Sequence, residues 1–287
     1  GLSESRVKIE SHSTKRTANT SPTAASTGAD INGNAARIAA QAIVRRLRPV
    51  AAELLRETKK HGAVAEYLLF ESGYIFDPAN PEMRISLAEL AAAAWQRRVD
   101  LSAHGYYSTP GLGFDWSTGC GTPFAYFVYG CGLVVAEVDV LTGYFSMKDV
   151  FIVHETGCNV DVPVDRGQIE GAFLQGVGWC TMEEVVRDKS GRTLTDSLTT
   201  YKIPAVDDLP ERWTIEMIQT ERKVAGVKGI KAVGEPPFIY GQAAFFAIKD
   251  AIESLADHRV EADLRMPATP ESVLRAVRSV REKMEQA

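Results

Sequence analysis

One carboxylate in this sequence stands in unusually stiff surroundings. Glu235 lies between Gly234 and the two prolines at 236–237, and Lys228 and Lys231 precede it. Each proline fixes its own φ at about −65°, and the first one disfavours the α region for Glu235. Glycine lets other groups approach the main chain closely. The pattern therefore favours a glutamate held in a fixed direction toward a target, although a rigid surface loop with an exposed glutamate has the same sequence.

A second candidate is the stretch T-A-A-S-T-G at 23–28, which precedes a predicted helix. Small side chains and the backbone N–H groups at the start of a helix form a favourable cradle for an anion or a phosphate. A loop that only caps the helix has the same composition, so this stretch alone is a weak indication.

The third candidate is a helical segment that carries two glutamines. Gln168 and Gln175 are seven residues apart, which places both amides on one side of a helix, where they offer donors and acceptors to a heterocycle or an oxo group. Gly171, Gly176 and Gly178 lie in the same predicted helix and cost about 1 kcal/mol each relative to alanine. We therefore expect a backbone or a ligand to pack on this helix. Two solvated glutamines beside a tight helix crossing are the alternative.

Other common kinds of catalytic site lack their motifs here. The sequence contains neither the G-x-S-x-G elbow of serine hydrolases nor the G-x-x-x-x-G-K-[ST] loop of nucleotide-binding proteins. His154 is followed by Glu155, but the sequence supplies no nucleophile beside them. A histidine at the end of a strand is more often a structural hydrogen-bonding group.

The spacing of cysteine and histidine does not predict a metal site. None of the five histidines stands in an H-x-x-x-H pattern, and the four cysteines form no C-x-x-C pair. We therefore expect no side-chain metal ligands, iron–sulfur cluster or structural zinc in this chain. Widely spread cysteines are typical of a reducing cytoplasm, where thiols stay free and mostly buried. The cysteines are Cys120, Cys131, Cys158 and Cys180.

Composition and charge narrow the class of protein. The 287 residues are 45% apolar and 24% charged, as in a globular protein with a sizeable core. A net charge of −5 argues against nucleic-acid binding. No apolar run approaches the roughly 20 residues of a membrane span, and the N-terminal residues lack the apolar core of a signal peptide. These features predict a cytoplasmic protein that contacts neither nucleic acid nor membrane.

The mixture of helix and strand patterns predicts an α+β fold with a largely antiparallel, curled sheet and packed helices. Helical spacing and capping signals predict helices at about 30–56 with an interruption at Pro49, and at 86–98, 165–185, 241–255 and 269–286. Aromatic, β-branched and alternating residues predict strands at 6–10, 125–129, 133–140, 150–153 and 213–218. The order of these elements has no βαβ rhythm.

Four segments occur together in an informative order. They are 19–26 (N-T-S-P-T-A-A-S), 167–178 (G-Q-I-E-G-A-F-L-Q-G-V-G), 200–204 (T-Y-K-I-P) and 231–237 (K-A-V-G-E-P-P). With these segments the chain resembles the xanthine dehydrogenase/aldehyde oxidase family of molybdenum hydroxylases, and in particular the C-terminal half of their molybdopterin-binding large subunit. The resemblance extends from about residue 7 to 252. It implies that residues 1–287 form this C-terminal molybdopterin-binding domain, with a flexible arm at 1–18.

The resemblance implies a role for the carboxylate of Glu235. In such enzymes the glutamate of the G-E-P-P motif is the general base of an oxidative hydroxylation with water as the oxygen source. By the same resemblance, Gly234 contributes to cofactor binding, and a nearby lysine helps to keep the negative charge of Glu235. The implied substrate is a purine, another N-heterocycle or an aldehyde.

The resemblance also implies a molybdenum–molybdopterin cofactor, either plain or as the cytosine dinucleotide. The T-A-A-S loop of the family packs its backbone against the metal and the pterin. This implies the same role for Ala24, Ala25 and Ser26, with Ala25 near the molybdenum. The glutamine of the family's Q-G-x-G segment, here Gln175, forms hydrogen bonds close to the metal and the pterin. The cofactor's own dithiolene sulfurs hold the metal, so direct ligation by a side chain is not expected.

The partners that the resemblance implies lie outside this chain. They are an upstream molybdopterin-binding half, which carries most substrate-selecting residues, and iron–sulfur (2Fe–2S) and FAD domains or subunits in an oligomeric assembly. We expect the chain to need that upstream half, as a separate subunit or as sequence removed from this chain. The family's asparagine–proline pair ahead of G-Q-x-E-G is replaced by D-V-P-V-D at 161–165, which alters a local turn. A non-catalytic assembly domain or fragment that keeps the fold without cofactor is the alternative.

Overall fold

The computed structural model of the chain describes residues 1–15, 23–220, 224 and 226–286. These residues form two units, Gly1–Thr109 and Pro110–Ala287. Residues 16–18 of the predicted arm and residues 19–22 of the first family-like segment lie outside the described residues.

The N-terminal residues 1–15 are exposed and contain one short 3₁₀ turn, Glu4–Arg6. The strand predicted at 6–10 is therefore wrong. An alternating pattern forms a stable strand only when another strand pairs with it, and no strand in the described part of the chain pairs with these residues.

A long helix dominates the first unit. Helix α1 spans Asn34–Lys59 and follows one π-helical turn, Ala29–Gly33. Pro49 lies inside α1, which is one continuous helix. No new helix begins at the proline. The helix ends at Lys60, which adopts the left-handed conformation that commonly terminates helices.

A small antiparallel meander and a second helix complete the first unit. Strands β1, β2 and β3 pair in that order and span Leu69–Glu71, Tyr74–Phe76 and Arg84–Ser86. Helix α2 spans Leu87–Gln96 and begins with the predicted capping box. The Oγ of Ser86 accepts a hydrogen bond from the backbone of Glu89 at 3.1 Å, and the Glu89 carboxylate accepts one from the Ser86 N–H at 2.7 Å.

The second unit is built on a mixed three-stranded sheet. Its strands, in the spatial order β6-β7-β8, are Gly130–Val138, Phe145–Gly157 and Arg212–Gln219. Strand β6 pairs antiparallel with β7, whereas β8 pairs parallel with β7. The strands predicted at 133–140, 150–153 and 213–218 are confirmed, and the parallel pair makes the sheet mixed.

The strand predicted at 125–129 is wrong. This aromatic run has no regular structure, and a short hairpin precedes it, with β4 at Gly113–Asp115 and β5 at Cys120–Thr122. Its backbone bonds elsewhere, because the carbonyl of Phe127 accepts from the Lys231 ammonium at 2.9 Å and that of Tyr129 accepts from the Glu155 N–H at 2.9 Å. Strand propensity depends strongly on context, and here tertiary contacts override it.

Helix α3, Val162–Thr181, connects the parallel strands β7 and β8 and packs on one face of the sheet. The side chain of Asp161 accepts from the Val164 N–H at 3.2 Å and caps the helix, which starts three residues before the predicted position. Ile169, Phe173 and Val177 are fully buried, as their spacing predicts.

Two C-terminal helices close a further hydrophobic core. Helix α4 spans Gln242–Glu253, and α5 spans Pro270–Glu285 with Thr269 as its N-cap, so both predicted helices are confirmed. Within the described residues, no helix is both long and apolar enough to cross a membrane.

The glycines of α3 do not all have neighbours that exclude a side chain. A Cβ on Gly176 would lie 2.0 Å from the Phe238 carbonyl oxygen, and one on Gly178 would lie 2.6 Å from Cδ of Pro204. A Cβ on Gly171 would meet no atom within 4 Å. The expected close packing on this helix is therefore confirmed at Gly176 and Gly178, whereas the surface at Gly171 is open.

We predict opposite effects for two alanine substitutions in α3. Gly176→Ala forces the Phe238 backbone away and should lower the free energy of unfolding by about 2 kcal/mol, since overpacking costs roughly 1–3 kcal/mol. Gly171→Ala is the matched control and should raise it by up to about 1 kcal/mol through helix propensity. Urea unfolding of the two variants measures both values. Equal effects of the two substitutions would contradict the backbone crossing at Gly176.

Candidate functional site

The T-A-A-S loop forms a tight turn ahead of the first long helix. Ala25 and Ser26 have φ values of 54° and 51°, in the left-handed region that residues other than glycine seldom adopt. The N–H and the hydroxyl of Thr27 both donate to the Ala24 carbonyl oxygen, at 3.3 and 2.9 Å. Unfavourable backbone conformations of this kind cost about 1–3 kcal/mol each and cluster at binding sites. The conformation agrees with a loop that presents its backbone.

Gln175 lies on the exposed side of α3, together with Gln168. Both amides face away from the core residues of that helix, on the same side as the open surface at Gly171. Gly176, the next residue after Gln175, contacts the backbone of Phe238, which is three residues after Glu235. The helix of Gln175 and the turn of Glu235 therefore cross at this point.

Glu235 is exposed and precedes a 3₁₀ turn, Pro236–Gly241. Its φ and ψ are −101° and −40°, so the expectation that Pro236 excludes it from the α region is wrong. The clash with the proline ring is a bias rather than a bar, and here the Glu235 carbonyl gains a hydrogen bond from the Phe238 N–H at 3.0 Å. Pro237 is buried and anchors the start of the turn.

The residues just before Glu235 are joined to the end of strand β7. The Lys231 N–H donates to the Thr156 carbonyl at 2.8 Å, and the Cys158 N–H donates to the Gly229 carbonyl at 3.0 Å. Gly157 has a φ of 68°, and a Cβ there would lie 2.3 Å from the Gly229 oxygen. Glycine is required at this position because both the conformation and the close approach exclude a side chain.

The Lys231 side chain forms a buried ion pair at the same place. Its ammonium lies 2.6 Å from Oε1 of Glu155, which also accepts from the Thr220 hydroxyl at 3.0 Å. Burial raises the pKa of Glu155, but the hydrogen bonds from Lys231 and Thr220 outweigh it, so the net pKa is lowered. The Lys231 side chain is thus directed at Glu155.

His154 links this junction to the far end of the 3₁₀ turn. Its Nε2 lies 3.2 Å from the Ala232 carbonyl oxygen, and its Nδ1 lies 2.9 Å from the hydroxyl of Tyr240. A carbonyl oxygen only accepts, so Nε2 carries the proton and Nδ1 accepts from Tyr240. The histidine is fully buried and acts as a structural hydrogen-bonding group, as the sequence indicated.

The same burial shifts two pKa values. Desolvation lowers the pKa of His154, against smaller raising effects of the Ala232 carbonyl and the Glu155 charge. Burial, with a smaller contribution from Cys131, raises the pKa of Tyr240 to about 12. At neutral pH the pair is therefore uncharged, which preserves the directed chain from the tyrosine hydroxyl to the Ala232 carbonyl.

Sequence reasoning missed the hydrogen-bond partners of His154, Glu155 and Tyr240. A signal was present, because H-E-T-G at 154–157 places two ionisable residues directly after the apolar run V-F-I-V at 150–153. Charged side chains in such places need partners. Their partners, however, lie 76 and 86 residues further along the chain, and no local pattern connects them.

The cysteines differ from the sequence prediction. Cys180 is buried, and burial raises the pKa of its thiol to about 11, but Cys120 and Cys131 are exposed and Cys158 is partly buried. All four are free thiols. Among the residues that the structure describes, no three histidine, cysteine, aspartate or glutamate side chains lie together as a metal-binding group.

The candidate residues suit a cofactor whose metal is held by the cofactor's own atoms rather than by protein side chains. In the second unit, the amides of Gln168 and Gln175 and the carboxylate of Glu235 are exposed. A Cβ at Gly171 would meet no atom within 4 Å, so the helix surface beside the amides is open. Amides and backbone groups are suited to hydrogen-bond a pterin, which presents both donors and acceptors.

We predict an acid-sensitive stability that depends on His154. Because its folded pKa is lowered, its contribution is complete above its ordinary pKa of 6.5 and is lost as the pH falls through the folded pKa. The free energy of unfolding should therefore fall below pH 6.5, by up to about 1.4 kcal/mol per pH unit for this proton. Urea unfolding at several pH values measures it. His154→Gln should remove this part of the slope, and the exposed-histidine control His104→Gln should retain it.

Comparison with known proteins identifies the family of the chain. Residues 1–210 match the model of the molybdopterin cofactor-binding domain. A xanthine dehydrogenase of Oryza sativa subsp. japonica is 38% identical over 279 residues, which is 94% of this chain and 18% of that protein. A xanthine dehydrogenase/oxidase of Gallus gallus is 35% identical, with 96% of this chain and 18% of that protein covered. The chain thus spans about a fifth of the length of these relatives.

Solved structures share the fold. A CO dehydrogenase from Oligotropha carboxidovorans superimposes with a TM-score of 0.70 at 19% identity, over 91% of this chain and 30% of that one. The aldehyde oxidoreductase from Desulfovibrio desulfuricans ATCC 27774 gives 0.62 at 25% identity, over 91% and 24% of the two chains. These likenesses confirm the α+β class, and the sequence matches confirm the resemblance carried by the four segments. The chain belongs to the family of molybdopterin cofactor-binding domains, as found in enzymes of the xanthine dehydrogenase and aldehyde oxidase type.

Proposed function

We propose that residues 1–287 act as the base-bearing, C-terminal part of the molybdopterin site in a molybdenum hydroxylase. The reaction is the oxidative hydroxylation of a purine, another N-heterocycle or an aldehyde, with water as the source of oxygen. The observation that carries the proposal is Glu235, an exposed carboxylate whose loop is held from both sides by the buried junction with β7 and by the crossing at Gly176.

Glu235 is assigned the role of general base. A base must lie within hydrogen-bond reach of the proton that it removes, and its position must vary little. The turn Pro236–Gly241 with its buried Pro237 fixes the chain after Glu235. The hydrogen bonds of Lys231 fix the chain before it. The bound molybdopterin supplies the molybdenum centre that activates water and accepts two electrons from the substrate.

The remaining predicted residues are assigned to cofactor binding. The exposed amide of Gln175 donates and accepts hydrogen bonds beside the open surface of α3. The tight turn at Ala24, Ala25 and Ser26 presents backbone groups, and Ala25 is assigned to the surroundings of the molybdenum. Gly234 lets the cofactor approach the main chain next to Glu235. The left-handed conformations at Ala25 and Ser26 support this assignment.

Purines are the favoured substrate class within this proposal. The support is the 38% identity to a xanthine dehydrogenase over almost the whole chain. The residues that select the substrate are assigned to the upstream half, and electrons leave through 2Fe–2S clusters and FAD on other domains or subunits. We place the complete assembly in the cytoplasm.

The exposed apolar face of the sheet is evidence for a partner polypeptide that covers it. The strand residues that face away from α3 include four large apolar side chains that are 42–54% exposed, namely Leu133, Val135, Phe151 and Ile218. Leu133 and Phe151 lie directly opposite each other in the register of β6 and β7. An apolar sheet face of this kind is unfavourable in water. Since the chain spans about a fifth of its relatives' length, we assign this face to the upstream molybdopterin-binding half.

The role of Glu235 is tested in the cofactor-loaded assembly that contains this chain. Glu235→Gln removes the base but keeps the size of the side chain, so kcat should fall by at least about 10²–10⁴-fold. Molybdenum and pterin contents should stay at the wild-type level, because the cofactor is assigned to other residues. Steady-state kinetics and metal analysis give the two readouts.

The control is Glu282→Gln, which alters an exposed glutamate on α5 and should leave kcat unchanged. Near-normal turnover of Glu235→Gln would contradict its role as base. Absence of molybdenum and pterin from the purified natural assembly would instead favour the non-catalytic assembly domain.

The partner face is tested by placing a charge at its centre. Phe151→Glu leaves an exposed side chain in the separate chain but buries an unpaired carboxylate in the assembly, so association should weaken at least about tenfold. Co-purification and size-exclusion chromatography measure it. Leu198→Glu, at a position that is 92% exposed, is the control and should assemble normally. Normal assembly of Phe151→Glu would exclude this face as the docking surface.

A further inference from the structure

A buried ion pair lies four residues before the proposed base. Nζ of Lys231 is 2.6 Å from Oε1 of Glu155, and the two side chains are only 5% and 10% exposed. The same ammonium also donates to the Phe127 carbonyl at 2.9 Å. A buried ion pair seldom stabilises a fold more than a well-packed apolar pair, because both charges lose their hydration. Stability alone therefore does not account for its presence.

The second oxygen of Glu155 makes the arrangement still less favourable. Oε2 is fully buried and, within the described part of the chain, has no hydrogen-bond partner. Oε1 instead accepts from both Lys231 and Thr220. Both donors converge on one oxygen atom, which fixes the direction of the carboxylate. A buried acceptor without a partner is uncommon in native proteins and calls for a specific reason.

The hydrogen bonds around Lys231 indicate what the ion pair holds in place. The backbone N–H of Lys231 bonds to Thr156, and its side chain bonds to Glu155, so neighbouring residues of β7 hold both parts of one residue. The next residue, Ala232, accepts from His154. Only Val233 and Gly234 then separate this junction from Glu235. A displacement of Lys231 is therefore passed to the proposed base with little slack in the main chain.

We propose that the Glu155–Lys231 pair positions the carboxylate of Glu235. This inference rests on the proposed role of Glu235 as general base. Lys231 and Glu155 are positioning residues that act through the loop, and neither takes the proton. Misplacement of a reacting group by 1 Å costs on the order of 10²-fold in rate, so the pair is expected to affect kcat rather than substrate binding.

The test uses the purified, cofactor-loaded assembly with xanthine as substrate, or benzaldehyde if xanthine is not oxidised. The double variant Glu155→Leu/Lys231→Met removes both charges and so avoids a lone buried charge, which is the strongly destabilising case. Molybdenum and pterin contents should remain at the wild-type level. We expect kcat to fall about 10- to 100-fold and KM to change less than about threefold.

The matched control is Glu211→Leu/Lys148→Met, which removes an ion pair of the same 2.6 Å length at an exposed position. Its kcat should stay at the wild-type value. Lys231→Arg is a second variant for the case that the double variant does not fold. It keeps the positive charge but presents a planar guanidinium, and its kcat should be intermediate.

A combination with Glu235→Gln distinguishes positioning from a general structural role. Once the base is absent there is nothing left to misplace, so the double substitution should cause no further loss of kcat in that background. A structural defect would lower the residual rate as well. A further loss there, or wild-type kcat in the double variant or in Lys231→Arg, overturns the positioning role alone. Near-normal turnover of Glu235→Gln overturns both the base and its positioning.

Discussion

The junction between the end of β7 and residues 229–232 is the constraint on which the site depends. Backbone bonds, a glycine contact and one buried ion pair act on four consecutive residues, so this short segment has almost no conformational freedom. The segment just before Glu235 is bonded to β7, the central strand of the sheet, which pairs with a strand on each side. Attachment to a rigid strand fixes the start of this surface loop, while the Glu235 carboxylate stays exposed.

Helix α3 separates the needs of folding from those of binding. One side carries Ile169, Phe173 and Val177 into the core, and the other side presents Gln175 and the open surface at Gly171. Its three glycines looked alike in sequence, yet two serve close packing and the third leaves a surface clear. The three glycines differ only in which other segments of the chain pack against them, because all three lie in the same regular α-helix.

Local patterns predicted the local parts of this structure. The capping box at Ser86, the helices that became α3, α4 and α5, and three of the strands follow from spacing and capping that lie within one element. The assignment of Glu235 as base, which the resemblance implied, stays a prediction. The aromatic run at 125–129 was misjudged because its backbone partners lie on distant segments. The parallel pairing of β7 with β8 and the partner of Lys231 escaped for the same reason.

The hydrogen bonds that hold the Glu235 loop join residues far apart along the chain. The four side-chain hydrogen bonds of Lys231 and His154 span 76, 78, 86 and 104 residues. Contacts of such long sequence separation form late in folding, since closing a long loop loses much chain entropy before the contact is gained. We therefore expect the Glu235 carboxylate to reach its final place only after most of this chain has been synthesised and β7 has paired. The contacts within helices α1 and α2 close much shorter loops, so we expect these helices to form before the Glu235 loop is fixed.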